Sequence, residues 1–229
     1  MVTGWPRADI TAVDELASFG VATVHEAAGR IGYLGPGIRP VHLGARVGGT
    51  AVTAVCWPGD NLMIHAAVEQ CRAGDILVVT TTSPSADGSF GELLATALQR
   101  RGVRGLVTTG GVRDVAELRA MGFPVFCAAV SAQGTVKATA GAVNVPISIG
   151  SQRVIPGDAV VADDDGVAVV PRSAVAQVLN DARTRAERED RARAAFRDGE
   201  LGLDRYDLRK ILAQQGVEYM DFRSYRETP

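Results

Sequence analysis

Four short apolar runs, at residues 47–56, 76–80, 105–109 and 123–130, alternate with stretches of helical spacing. Residues 76–80 are short, β-branched and apolar, the signature of a buried strand, and 105–109 is the next; 47–56 alternates small and β-branched residues and reads as a strand, as does 123–130. Between them, residues 61–71 bring Leu62, Ala66 and Glu69 onto related faces. Residues 91–101 gather Leu93, Leu94, Ala97 and Leu98 on one side, and residues 114–121 form a third helical stretch. Strand–helix–strand alternation at this spacing requires a layered α/β core.

The flanks have a different texture. Thr11, Val13, Leu16 and Ala17 fit a first helix that Gly20 ends. Thr23 has Glu26 three residues on, the pattern of a capping box opening a second short helix. Short strands are predicted at 146–150, 153–155, 159–162 and 167–170, with Asp163-Asp164-Asp165-Gly166 as a turn between the last two. Residues 173–197, rich in Ala, Arg and Glu, form a long charged helix, stopped by Asp198-Gly199, and residues 207–215 a last one. The expected organisation is a catalytic α/β domain over 1–171 and a C-terminal helical arm over 172–229, too polar for a core and suited to a neighbouring subunit.

Composition excludes several classes. With 229 residues and 46% hydrophobic content, the chain can bury a sizeable core without metal or disulfide. A formal net charge of −2 argues against nucleic acid as the main partner. Cys56, Cys71 and Cys127 are widely spaced in apolar runs, the pattern of buried free thiols. The first nine residues hold no apolar signal core, and no run approaches the ~18 apolar residues of a membrane span. A cytoplasmic protein without membrane contact is expected.

The chemistry concentrates in two segments: Gly91-Glu92-Leu93-Leu94, and Gly110-Gly111-Val112-Arg113-Asp114 with Glu117. Each follows a buried strand and opens a helix, and ligands in α/β folds gather at the C-terminal ends of strands. A helix's first amides have no intrahelical partner and can receive an anion. Gly110-Gly111 is expected to turn the chain sharply after its strand. Arginine grips a carboxylate with paired hydrogen bonds, and an Asp with no Cys or His cluster near it suits a hard cation that keeps most of its waters. A cation beside a carboxylate clamp is what activation of a 2-oxo acid needs.

Other candidates carry less. His65 and Glu69 share a helix face, but nothing supplies further ligands at matching spacing. The run Asp163 to Asp165 lacks the periodic ligands of a calcium loop and reads as a solvated turn. Asp60, Asp75 and Asp158 read as turn or capping residues, with the Asp60-Asn61 loop able to border a site. No P-loop, dinucleotide fingerprint or nucleophile elbow is present.

At Gly91 to Leu94 and at Gly111-Val112-Arg113-Asp114-x-x-Glu117 the chain resembles the class II pyruvate aldolases. These are the 4-hydroxy-4-methyl-2-oxoglutarate / 4-carboxy-4-hydroxy-2-oxoadipate aldolases, which share a fold with the regulator of ribonuclease E activity A. The likeness extends through Phe19 to Glu26, Asp60-Asn61, Ile64-His65, Glu69 to Asp75, Ser131 to Thr135, Asp163 to Val167 and Gly199 to Asp204. It implies a layered α/β/β/α sandwich with a helical arm, assembled as a homotrimer or homohexamer. It also implies that Asp114 is the protein ligand of Mg²⁺ or Mn²⁺, and that Arg113 binds the pyruvyl oxygen and supports the enolate. The Leu93 and Leu94 amides after Gly91 would receive the pyruvyl carboxylate, and Glu92 would orient metal-bound water. Glu187 or Glu189 from a neighbour's arm, with Glu117, would complete the surroundings. The chain departs from the family pattern at Thr109, where an Asp is expected, and in a Gly91-to-Arg113 spacing one residue longer.

The implied reaction is cleavage of 4-carboxy-4-hydroxy-2-oxoadipate to pyruvate and oxaloacetate, and of 4-hydroxy-4-methyl-2-oxoglutarate to two pyruvates. Oxaloacetate decarboxylation follows from the same enolate stabilisation, in aromatic-compound catabolism. A lysine Schiff base is the other route to such an enolate. Only Lys137 and Lys210 exist, and neither is expected at a strand end beside another cation. The alternatives are a non-enzymatic protein-binding regulator of the ribonuclease E inhibitor type, and a metal-dependent decarboxylase of another oxo acid.

Overall fold

A computed structural model describes residues 1–222 and 225. The order is α1 (Ile10–Phe19), α2 (Val21–Ala27), β1 (Arg39–Pro40), β2 (Val47–Cys56), α3 (Leu62–Gln70), β3 (Asp75–Thr81), β4 (Gly88–Phe90) and α4 (Glu92–Arg100). It continues with β5 (Gly105–Val112), α5 (Val115–Ala120), β6 (Val125–Val130), β7 (Ala142–Val143), β8 (Ile147–Ile149), β9 (Gln152–Val154), β10 (Ala159–Asp163) and β11 (Gly166–Val170). The helices α6 (Val175–Arg197), α7 (Gly202–Arg205) and α8 (Leu208–Gln214) follow. Two compact units, Met1–Arg185 and Ala186–Pro229, divide within α6.

The main sheet runs β1-β6-β5-β3-β2-β10-β11, with β4 beside β5 and β7 beside β2. Strands β2, β3, β5 and β6 are parallel, and β10 and β11 return antiparallel. The stretch from Gly32 to Pro40 nearly closes the sheet. At one end the Leu34 amide donates to the Val167 carbonyl at 3.0 Å and the Val169 amide to the Gly32 carbonyl at 2.9 Å. At the other, Arg39 and Pro40 pair with Cys127 and Phe126.

Side-chain alternation along each strand builds the layers. Ile76 and Val78 of β3 point into the barrel-like interior with Val107, Phe126, Val160, Ala162, Val167 and Val169. Leu77 and Val79 point outward, under Ile64 of α3 and Leu94 and Leu98 of α4. Ala159, Val161, Ala168 and Val170 face Val13 and Leu16 of α1, Val24 of α2, and Val178, Leu179 and Ala182 of α6. Helices, two sheet walls and helices thus form the expected α/β/β/α order. One expectation changes: α6 is not polar throughout, because its first three turns bury an apolar stripe.

Two local expectations also change. Thr23 lies inside α2, whose first amide, Val21 N–H, donates to Asp163 Oδ2 at 2.8 Å instead of to a capping threonine. Gly110-Gly111 makes no turn, because β5 runs through both glycines to Val112. Gly111 pairs with Gly88 and Ala129, and a Cβ there would sit 2.1 Å from the Ala86 carbonyl oxygen. The glycine is needed for close approach of the preceding loop.

Candidate active site

Four connections at the C-terminal ends of the parallel strands converge on one cavity of ≈ 140 Å³. Asn61 and His65 come from the start of α3, Gly91, Leu93 and Leu94 from the start of α4, and Arg113 and Asp114 from the end of β5. Thr135 and Lys137 come from the irregular segment after β6. The two segments singled out in the sequence therefore meet, and they meet beside a lysine and an asparagine.

Asp114 sits at the junction. Its backbone is left-handed, φ 55° and ψ 42°, a conformation Asp tolerates better than most residues. The turn sends its carboxylate back to α4, where Oδ2 accepts from the Glu92 amide at 3.1 Å. Arg113 Nε lies 3.6 Å from the same oxygen, and the Arg113 amide donates to the Phe90 carbonyl at 2.9 Å. Gly91 makes this approach possible: a Cβ there would lie 2.2 Å from Asp114 Oδ2. Gly91→Ala is therefore expected to displace the Asp114 carboxylate and break its hydrogen bond to the Glu92 amide with the fold retained, a local change that NMR chemical shifts beside circular dichroism would show.

The N-cap Gly91 has no side chain and Asp114 takes only the Glu92 amide, so the Leu93 and Leu94 amides at the cavity wall keep their donor capacity. The Leu93 side chain is 76% exposed, so its backbone is what the cavity uses.

Across the cavity, Asn61 is 8% exposed and donates through Nδ2 to the Ser89 carbonyl at 2.9 Å. Its Oδ1 is buried with no partner. A buried acceptor left unpaired costs free energy comparable to a lost hydrogen bond, and here it adjoins a cavity where a ligand donor can satisfy it. Burial, and then the Lys137 ammonium, push the His65 imidazole below its ordinary range. Lys137 was not expected here. It lines the cavity together with Arg113, because the segment after β6 pairs with the connection between β2 and α3.

Glu92 is half-buried, and its Oε1 accepts from Thr96 Oγ1 at 2.8 Å, one helical turn along α4. Glu117 lies exposed in the first turn of α5. Glu187 and Glu189 belong to the second compact unit, where Glu189 lines a groove with Arg193, Phe196 and Tyr206. Thr109 Oγ1 meets Thr80 Oγ1 at 3.3 Å, away from the cavity lining. Glu69 is not among the lining residues either, so His65 and Glu69 do not combine there.

Among the described residues, no group of three or more His, Cys, Asp or Glu side chains could hold a metal. A site offering one carboxylate beside an open cavity fits a hard cation that keeps waters and takes oxygens from its ligand; it does not fit an all-protein cage. Two of the three aspartates at 163–165 are spent on backbone: Asp163 accepts from the Val21 and Asp165 amides and Asp164 from the Gly44 amide.

A sequence model described as RraA-like, Aldolase/RraA, matches residues 13–169. The chain belongs to the RraA-like family. A provisionally named 4-hydroxy-4-methyl-2-oxoglutarate aldolase of Halalkalibacterium halodurans is 27% identical over 206 residues, 90% of this chain and 98% of that one. One of the same provisional name from Burkholderia multivorans is 36% identical over 143 residues, covering 62% and 87%. The crystal structure of Streptomyces coelicolor RraAS2, described as an unusual member of the RNase ES inhibitor RraA family, superposes with a TM-score of 0.73. It is 31% identical, over 82% of this chain and 100% of that one. The matched family segment contains every cavity-lining residue. No helix among the described residues is long and apolar enough to cross a membrane.

Proposed function

We propose that this RraA-like protein is a metal-dependent pyruvate aldolase. Its substrates are 4-carboxy-4-hydroxy-2-oxoadipate, cleaved to pyruvate and oxaloacetate, and 4-hydroxy-4-methyl-2-oxoglutarate, cleaved to two pyruvates. Decarboxylation of oxaloacetate is the side reaction. The observation that carries this reading is the convergence of the open α4 amides, Arg113, Asp114 and Lys137 on one small cavity.

The pyruvyl carboxylate binds the Leu93 and Leu94 amides, where the helix terminus favours an anion. Arg113 donates to the 2-oxo oxygen as it gains enolate charge. Asp114 would hold Mg²⁺ or Mn²⁺, which would supply Lewis-acid stabilisation of the developing enolate. The distal carboxylate pairs with Lys137, and the unpartnered Asn61 Oδ1 accepts from a bound water beside the 4-position. His65, its pKa lowered by burial and by Lys137, lies on the same wall and takes the 4-hydroxyl proton as the C3–C4 bond breaks, and the proton returns to C3 of the enolate to give pyruvate. Lys137 does not serve as a Schiff base here; its charge is used on the distal anion.

Oxalate, a planar mimic of the pyruvate enolate, gives a binding test. Calorimetric binding with Mg²⁺ present that disappears in Arg113→Ala supports the reading, and undiminished binding in that variant counts against it. The His65 environment gives a second. Removing the neighbouring positive charge in Lys137→Ala must raise the imidazole pKa towards the ordinary 6.5. An NMR titration of the metal-free protein checks the sign.

A homotrimer or homohexamer is part of the proposal. Leu201, Tyr206, Ile211, Tyr219, Met220 and Phe222 of the second unit are exposed, and exposed apolar clusters mark association surfaces. On this reading Glu187 or Glu189 reaches a neighbour's site. The second reading, a protein-binding regulator, draws on the likeness to RraAS2. It predicts a stable complex with a ribonuclease of the E type and no lyase activity.

A further inference from the structure

The segment that carries Lys137 has almost nothing to hold it except one turn. From Lys137 to Ala140 the chain is exposed, and Val136 is 61% exposed, so apolar burial does not fix it. Its hydrogen bonds go to the connection between β2 and α3. The Val136 amide donates to the Gly59 carbonyl at 2.9 Å, and the Asn61 amide to the Val136 carbonyl at 3.0 Å. Trp57 Nε1 donates to the Ala140 carbonyl at 3.1 Å.

The central contact is the Asp60 carboxylate, itself 3% exposed. Oδ2 accepts from the Ala138 and Thr139 amides at 2.8 and 2.7 Å, and Oδ1 from the Leu62 amide at 2.8 Å. One side chain thus ties the first turn of α3, which bears Asn61 and His65, to the two residues after Lys137. The Leu62 amide, followed by those of Ala138 and Thr139, holds the Asp60 carboxyl below its ordinary range, against the opposing effect of burial. Only an ionised carboxylate supplies acceptors in both directions; an asparagine has one oxygen and must give up one set.

We infer that Asp60 is a positioning residue that sets Lys137 against Asn61, and so determines the site's preference for 2-oxo acids with a distal carboxylate. The inference rests on the proposed placement of the distal anion at Lys137. Asp60 touches no substrate atom; it acts through the backbone on either side of the cavity.

The test compares the affinity of pyruvate with that of 2-oxoglutarate, a non-cleavable probe with both carboxylates, by calorimetry with Mg²⁺ in excess. Lys137→Ala, Asp60→Ala and Asp60→Asn are measured beside the unaltered protein. The expected result is a preference for 2-oxoglutarate of about tenfold, the size of one hydrogen bond to a charged group. That preference collapses in Lys137→Ala and in both Asp60 variants, while pyruvate affinity stays within about twofold. Asp60→Asn, nearly isosteric, keeps the comparison open if Asp60→Ala does not fold. A preference lost in Lys137→Ala but intact in Asp60→Asn overturns the role of Asp60 and leaves the site reading standing. Equal loss of both ligands in the Asp60 variants makes the residue merely structural and also overturns it. No preference in the unaltered protein overturns the distal-anion placement, and the inference with it.

Discussion

Arg113→Ala is expected to lower kcat for pyruvate release by about 10²–10³-fold, the usual loss for one preorganised oxyanion donor. The guanidinium stands at the end of β5, and its backbone amide is anchored to the Phe90 carbonyl, so the donor is in place before charge develops. Its side chain is 47% exposed, so the fold does not depend on it and the loss belongs to chemistry. Steady-state kinetics separate two roles. A fall in kcat and kcat/KM together means that Arg113 acts on the transition state, whereas a rise in KM alone makes it a ground-state binding group. Arg113→Lys is not a conservative rescue, because an ammonium lacks the planar fork that spans two oxygens.

Asp114→Ala is expected to remove metal-dependent turnover altogether. Among the described residues of the chain itself, no second carboxylate lines the cavity to take its place as a ligand. The substitution also frees the Glu92 amide and removes the αL-tolerant residue at that turn, so a modest loss of stability accompanies it. Asp114→Asn separates the effects: it keeps the acceptor for Glu92 and the backbone preference, and loses the charge. Mn²⁺ binding followed by water-proton relaxation should be lost in both variants, and thermal unfolding should be perturbed mainly in Asp114→Ala. Mn²⁺ affinity unchanged in Asp114→Asn would place the metal elsewhere.

The layered fold was readable because parallel strands buried on both faces leave continuous apolar runs, as at Ile76 to Val79. The pairing of the α4 start with Arg113-Asp114 was also readable, since both follow neighbouring buried strands. What escaped had no periodic signal. Lys137 reaches the cavity through a stretch with no regular structure beyond a bridge to Asp60. Its place depends on a tertiary contact with a turn far away in the chain. Asp60 was legible as a turn residue but not as a clasp, because its amide donors lie 78 and 79 residues on. Gly110-Gly111 misled in the opposite sense: paired glycines suggest a turn, and here they thin a strand so that another loop can lie against it.

The central claim, a metal-dependent lyase, is tested most directly by pyruvate release from 4-carboxy-4-hydroxy-2-oxoadipate, coupled to lactate dehydrogenase, after EDTA and then with Mg²⁺ or Mn²⁺ restored. The account predicts activity that EDTA abolishes and either metal returns. A folded protein that releases no pyruvate with either metal, or releases it undiminished in EDTA, would contradict it.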